Sequence, residues 1–382
     1  MRQTGALAGL VACAVLTACG TSGHSSAAAP SVAPSTTPAP QLTWSVAEDA
    51  QLAPGAVVKA SATSGKVTAL LVKDQSGSLL ATNGFASGTL PPGGTFTLAA
   101  AASGPGGTVK STVTVHTLPA EHVLHAAVSP SAGETMGIGQ PITVNFDTPV
   151  TNRAAVQGAL SVTSSHPIGP AAWHWFSSTQ VEYRPQAYWP ANTTVTVRAD
   201  LAGLQAGPTT FGASDSTSAF TIGRSQVLKI SDATHEMGVY TNGVLVRTIP
   251  VSLGQHIGTW VTRSGVKTIM SIERTVEMNS ATVGITGSGS YDELVPYAMR
   301  MTWSGEYIHG APWSEWAQGS TDVSHGCVNI SLANAEWLYG NSMVGDVVET
   351  TGTGRPMEWQ GNGTGGVWNM PWSTWQAGSA IA

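Results

Sequence analysis

Between Leu42 and Leu118 the chain runs in short stretches that alternate apolar and polar residues. Examples are Lys66-Val67-Thr68-Ala69-Leu70-Leu71-Val72 and Thr108-Val109-Lys110-Ser111-Thr112-Val113-Thr114-Val115, with turn-forming stretches such as Pro91-Pro92-Gly93-Gly94 between them. A period of two puts successive side chains on opposite faces of a strand, so each stretch buries one face and needs a second sheet to bury it against. Turn signals about every 8 to 12 residues then predict a small β-sandwich over 42–118. The style repeats from 119 to 223, in Pro141-Ile142-Thr143-Val144-Asn145-Phe146, Gln180-Val181-Glu182-Tyr183 and Thr193-Thr194-Val195-Thr196-Val197. Neither unit clusters His, Cys or carboxylates, so both read as spacers. Trp173, Trp175 and Trp189 are either buried sandwich residues or a carbohydrate platform, and burial is the commoner use of large aromatics.

A third unit, 224–351, opens with a hairpin signal: Met237 to Thr241, the turn Asn242-Gly243, then Val244 to Pro250. Asn-Gly between alternating strands favours a type I′ turn. Ser331 is a candidate N-cap for a helix from Leu332 to Tyr339, where Leu332, Ala335, Leu338 and Tyr339 fall on one stripe. Gly345-Asp346 turns into the strand Val347 to Thr350. The fold class expected is mostly β and multidomain: two sandwiches, then a β-rich domain with one or two helices. A tail over 352–382 carries Trp368, Trp372 and Trp375 and is expected to pack on that domain.

The N-terminus reads as an export signal over 1–18, with Arg2 followed by an apolar run from Ala6 to Leu16 that is too short to span a membrane. Leu16-Thr17-Ala18-Cys19 resembles the lipobox of bacterial lipoproteins, which implies cleavage before Cys19 and lipidation of its sulfur; an ordinary secreted protein cut nearby is the alternative. From Cys19 to Gln41 the Ala, Pro, Ser and Thr residues have little to bury and read as an extended stalk, reaching about 60 Å at about 3 Å per residue. Only 10% of residues are charged, against roughly 25% in average globular chains, which fits an exported β-rich protein. The net charge of -6, without a Lys/Arg run, disfavours nucleic-acid binding. The expected location is the cell envelope, on the outer face of the cytoplasmic membrane, anchored through Cys19.

Of the three cysteines, removal of Cys13 and capping of Cys19 leave Cys327 as an unpaired thiol in an oxidising compartment. It lies in Ser324-His325-Gly326-Cys327-Val328-Asn329, downstream of His309. A cysteine attacks an amide as thiolate, so a neighbouring histidine must assist its ionisation. In an extended segment His325 leans to the same face as Cys327, and Gly326 permits close backbone approach, so that successive N–H groups can face an oxyanion. Zinc binding by His309, His325 and Cys327 lacks a fourth ligand at metal spacing. An inert buried cysteine is the other plain reading.

His309-Gly310-Ala311-Pro312-Trp313 followed by Ser324 to Asn329 resembles the L,D-transpeptidase (YkuD-type) catalytic domain. The likeness extends to actinobacterial multidomain members with a lipoprotein-like signal, two immunoglobulin-like modules, the catalytic domain and a Trp-rich tail. It implies peptidoglycan cross-linking without metal or organic cofactor. Cys327 would attack a tetrapeptide stem, release the terminal D-alanine and hold the rest as a thioester for a diamino-acid amine of a second stem. His309 would be the base and acid, and His325 and Ser324 would support the loop. The Gly326 and Cys327 amides and the Tyr291 hydroxyl would stabilise the oxyanion, and Met278, Tyr291, Trp313 and Asn329 would contact substrate. Carbapenem β-lactams are implied as covalent inhibitors. A flap is expected from Met278 through Gly284, Gly287 and Gly289 to Tyr291. Two positions depart from the family: Gly310, where relatives carry Ser that could assist the histidine, and Val283, where they carry an aromatic. An L,D-carboxypeptidase with the same nucleophile and a non-catalytic wall-binding lipoprotein remain as alternatives.

Overall fold

The computed structural model describes residues 38–381 apart from 285, 286, 288, 289 and 291. The signal, Cys19, the stalk to residue 37, Tyr291 and the Val283 side chain lie outside the described residues. Among the described residues no helix is long and apolar enough to cross a membrane.

The first sandwich is built around the strand Thr95–Gly104, paired on one side with Lys66–Asp74 and on the other with Gly107–Thr117. Phe96, Leu98 and Ala100 are buried at every second position, as the alternation requires. With Val58, Leu70, Val72, Val113 and Val115 they form a core of their own.

The second sandwich packs two four-stranded sheets face to face. One is ordered Thr135–Met136, Ser216–Ile222, Thr193–Ala199, Leu160–Ser164, and the other Ala171–Trp175, Gln180–Pro185, Ile142–Phe146, Ala126–Ser129. Trp173, Trp175 and Trp189 all lie inside its core rather than on a platform. Trp189 donates from Nε1 to the Gln140 carbonyl at 2.7 Å, which satisfies its one polar atom. A helix, Arg153–Gly158, buries Val156 in the same core. Six residues are too few for a helical period to declare itself in sequence.

The third unit stacks two sheets. The outer one is ordered Val244–Pro250, Glu236–Thr241, Gln226–Ser231, Val347–Thr351, Gly265–Thr268, and the inner one Ser271–Asn279, Asp292–Arg300, Tyr307–Gly310, Val328–Ile330. Between them lie Leu228, Ile230, Val239, Ile249, Met299, Ile308, Val328, Ile330 and Val348, closed by Ala335 and Leu338 of the helix Leu332–Asn341. Ser331 caps that helix, its Oγ accepting from the Asn334 N–H at 3.3 Å. At the hairpin turn Asn242 and Gly243 take φ values of +49° and +81°, both positive as a type I′ turn demands.

The second sandwich and the third unit meet at a backbone contact. Gly137 N–H donates to the Val344 carbonyl at 2.7 Å and Gly139 N–H to that of Gly345 at 2.8 Å. A Cβ at Gly137 would stand 2.2 Å from Asp346 N, so only glycine allows the approach. The tail runs over this junction. Its tryptophans engage the second sandwich more than the third unit, on which the sequence put them. Trp375 is fully buried, stacked on His174, and donates to the Ala172 carbonyl at 2.9 Å. The Arg184 guanidinium lies over the rings of Trp368, Trp372 and Trp375. Asn369 ties the tail to the third unit, accepting from the Val266 N–H at 2.9 Å and donating to its carbonyl at 2.6 Å.

Candidate active site

The parallel pairing of Tyr307–Gly310 with Val328–Ile330 sets the site. Ile308 stands opposite Val328 and His309 opposite Asn329. Alternation sends Ile308, Val328 and Ile330 into the core between the sheets and leaves His309, Asn329 and Cys327 on the other face. There a cavity of about 260 Å3 is lined by Met278, His309, Trp313, Ser324, His325, Cys327 and Asn329, together with Glu293, Val295, Ser314 and Val323. Seven sequence-predicted residues, from three separate stretches of the chain, thus converge on one cavity. Met278 and Glu293 are register partners at the end of a hairpin, Ser271–Asn279 with Asp292–Arg300, whose connection is the segment expected as a flap. That connection starts with a turn, Ser280–Val283, in which Asn279 Oδ1 accepts from the Ala281 N–H at 2.9 Å.

The loop into Cys327 is held from several sides. Ser324 Oγ donates to the Cys327 carbonyl at 2.7 Å and accepts from the Gly326 N–H at 3.1 Å. Thr262 Oγ1 donates to the Gly326 carbonyl at 2.9 Å. Ser324 O accepts from the Gln255 N–H at 2.9 Å. Gly326 has φ +128°, so the segment from His325 to Cys327 is bent rather than extended, in a conformation that suits glycine. The bend lets the His325 ring pack on Trp260, centroids 4.2 Å apart, while still bordering the cavity. It also gives the Gly326 N–H an acceptor. Of the two backbone amides expected to serve an oxyanion, that of Cys327 has no acceptor among the described residues.

His309 is 4% exposed and hydrogen-bonds through Nδ1 to the Gly310 carbonyl at 3.1 Å. A carbonyl only accepts, so Nδ1 carries the proton and Nε2 keeps its lone pair. The missing Ser hydroxyl at position 310 is therefore not what orients the ring. A Cβ at 310 would meet Pro296, Ala335 and Leu332 at 3.2–3.3 Å, on the helix side of the strand. Burial pushes His309 down to about 4. Burial likewise pushes the Cys327 thiol up to about 12, opposed by the Tyr307 backbone and reinforced by the charge of Glu306. Both shifts favour the uncharged forms, a thiol and an imidazole. The thiol's hydrogen bond goes to the Gly305 carbonyl, 3.6 Å away. Asn329 Nδ2 donates to Ser314 Oγ at 3.0 Å, whereas its buried Oδ1 has no protein partner among the described residues.

Beneath the loop is a charged group that sequence reasoning missed. Glu306 pairs with Lys267 at 3.0 Å and with Arg263 at 2.8 Å, and Arg263 reaches Glu358 at 2.6 Å. These residues lie scattered in the chain with no common spacing. Only Glu306, three residues before His309, carried a positional hint.

Residues 225–350 match the L,D-transpeptidase catalytic domain model, and 49–205 match a bacterial Ig domain model that runs across both sandwich cores. L,D-transpeptidase 2 of Mycobacterium tuberculosis is 34% identical over 290 residues, which cover 75% of this chain and 70% of the relative. The chain belongs to the L,D-transpeptidase family. L,D-transpeptidase 1 of M. tuberculosis is 38% identical over 59% of this chain and 84% of its own length. Among solved structures, an L,D-transpeptidase in complex with imipenem superposes with a TM-score of 0.52 at 38% identity, covering 59% of this chain and 97% of that one. An L,D-transpeptidase from Mycobacterium smegmatis gives 0.50 at 31% identity, over 60% and 99%.

Proposed function

We propose that this chain is a peptidoglycan L,D-transpeptidase that works through a thioester on Cys327. The observation that carries the reading is the convergence of Cys327, His309 and Asn329 on one face of the parallel strand pair, at a cavity large enough for a peptide end. The thiol rotates away from Gly305 and Sγ attacks the carbonyl carbon of the third stem residue as His309 Nε2 takes its proton. The Cys327 N–H and the Tyr291 hydroxyl stabilise the oxyanion. Collapse breaks the C–N bond, and the proton on Nε2 passes to the departing D-alanine amine. The diamino-acid amine of a second stem then attacks the thioester carbonyl, giving its proton to His309 and restoring the thiol. No metal or organic cofactor takes part.

Groups shifted toward their uncharged forms suit this order of events. A thiol at about 12 sharing a cavity with an imidazole at about 4 transfers its proton only as the new C–S bond forms. Asn329 Oδ1, buried without a protein donor, fits an N–H of the substrate backbone. Carbapenems acylate Cys327 by the same attack, as the imipenem complex of a relative suggests. Lipidation at Cys19 and the stalk tether the enzyme to the outer face of the membrane within reach of the wall.

The test is intact-protein mass spectrometry of the enzyme and its Cys327→Ala variant with a tetrapeptide stem, then with a diamino-acid acceptor. A thioester adduct confined to the unmodified enzyme and converting to cross-linked dimer is expected. An adduct yielding tripeptide alone would make the protein a carboxypeptidase. No adduct and no turnover would leave a wall-binding module.

A further inference from the structure

Outside the catalytic cavity, the loop leading into Cys327 carries Asp322, on which a second carboxylate and two imidazoles converge. His256 Nε2 lies 3.3 Å from both Asp232 Oδ1 and Asp322 Oδ2, and His235 Nε2 lies 3.4 Å from Asp322 Oδ1. One ligand atom from each of Asp232, His256 and Asp322 falls within 4.8 Å of the other two. The Asp322 and Asp232 side chains are 7% and 13% exposed and that of His256 is 52% exposed, so the acids form the floor and one imidazole the mouth.

His256 Nε2 is within hydrogen-bond reach of both carboxylates, at the long end of a range whose N···O distance centres near about 2.9 Å. The separations also match the edge of a coordination tetrahedron: ligands about 2.1 Å from a zinc-sized ion stand about 3.4 Å apart. Two carboxylates so close and so sheltered also repel each other. Asp322 Oδ1 also accepts from the Leu253 N–H at 2.7 Å, which fixes the carboxylate in place. A dication between them removes the conflict. The catalytic steps use none of the four residues.

We propose that Asp232, His256 and Asp322 form a binding site for a divalent cation of the zinc class, with His235 held against Asp322 beside it, which fastens the loop before Cys327 to the outer sheet. Asp232 and His235 bracket the turn between Gln226–Ser231 and Glu236–Thr241, closed by His235 N–H donating to the Asp232 carbonyl at 3.3 Å. His256 follows Gln255, whose N–H already holds Ser324. A bound ion thus joins three segments that otherwise meet through hydrogen bonds. Two carboxylates neutralise its charge, and imidazole with carboxylate is a ligand set that suits Zn2+.

The test uses the full chain with Cys13, Cys19 and Cys327 all replaced by alanine, so that no thiol binds metal, after chelator treatment. Co2+ is titrated as a visible-absorbing probe and then displaced by Zn2+, and Tm is read with each ion. One equivalent of either ion, with a Tm that rises with Zn2+ concentration, is expected. His256→Ala, at the exposed mouth, is expected to keep the metal-free Tm of its parent, weaken binding about tenfold or more and abolish the Zn2+-dependent rise. Asp322→Asn is expected to do the same to binding. Absence of stoichiometric binding, or binding and a Tm rise that survive His256→Ala, would overturn the proposal.

Discussion

His309 is oriented by its neighbour's backbone: Nδ1 donates to the Gly310 carbonyl at 3.1 Å, which leaves the lone pair on Nε2 whatever side chain stands at 310. Gly310→Ser is therefore expected to hold kcat/KM within about threefold of wild type. The added Cβ presses on Pro296, Ala335 and Leu332, but the unfolded chain also loses freedom, so stability should change by less than about 1 kcal/mol. Gly310→Val, with more to fit, should cost about 1–3 kcal/mol. Acylation kinetics and urea denaturation check both; a kcat/KM shift well beyond threefold in Gly310→Ser would contradict the backbone account.

The pH behaviour follows from the burial of Cys327 and His309. His309, lowered to about 4, keeps its base form until the pH falls close to that value, and Cys327, raised to about 12, forms thiolate only far into alkali. Alkylation of Cys327 by iodoacetamide, followed by peptide mass spectrometry, is expected to be still rising at about pH 10. At about pH 7 it should run at least about 100-fold slower than for a free cysteine, whose pKa is near 8.5. A plateau reached by about pH 9.5 would show a thiolate formed as in an open site.

Ser324 closes the loop at both ends of the Gly326 peptide pair. Ser324→Ala removes two hydrogen bonds and leaves the buried Cys327 carbonyl without that donor. A loss of about 1–3 kcal/mol in stability is expected. Carbapenem acylation should slow about tenfold or more, because the Cys327 backbone loses its fixed position. An acylation rate equal to wild type would remove Ser324 from any positioning role.

Lys267 is fully buried against Glu306, which is 4% exposed at its side chain. Lys267→Met leaves that carboxylate with Arg263 alone and is expected to cost about 3 kcal/mol in chemical denaturation, part of it recovered when Glu306→Gln is added. Because the charge of Glu306 raises the Cys327 pKa, Glu306→Gln by itself should speed alkylation of Cys327 at fixed pH. An unchanged rate would mean that the carboxylate's field does not reach the sulfur.

The alternation of apolar and polar residues determined the two sandwiches, because a period of two fixes which side chains face a core before any partner sheet is known. The Asn242-Gly243 hairpin and the Ser331-capped helix were equally legible, since turn and cap chemistry act within a few residues. Residue types around Cys327 and His309 marked a candidate site but left zinc binding and an inert cysteine open, and the motif's resemblance to a family narrowed the choice. What the sequence could not hold was anything that depends on distance across the fold: the shift of Cys327 and His309 toward their uncharged forms, which comes from burial, and the commitment of the Gly326 amide to Ser324, which comes from a glycine bend. The Glu306 and Lys267 pairing, the seating of the Trp368 to Trp375 tail on the second sandwich and the meeting of Asp232, His235, His256 and Asp322 are of the same kind. Each joins segments far apart in the chain, and electrostatics and packing act through space, so only the tertiary structure decides them.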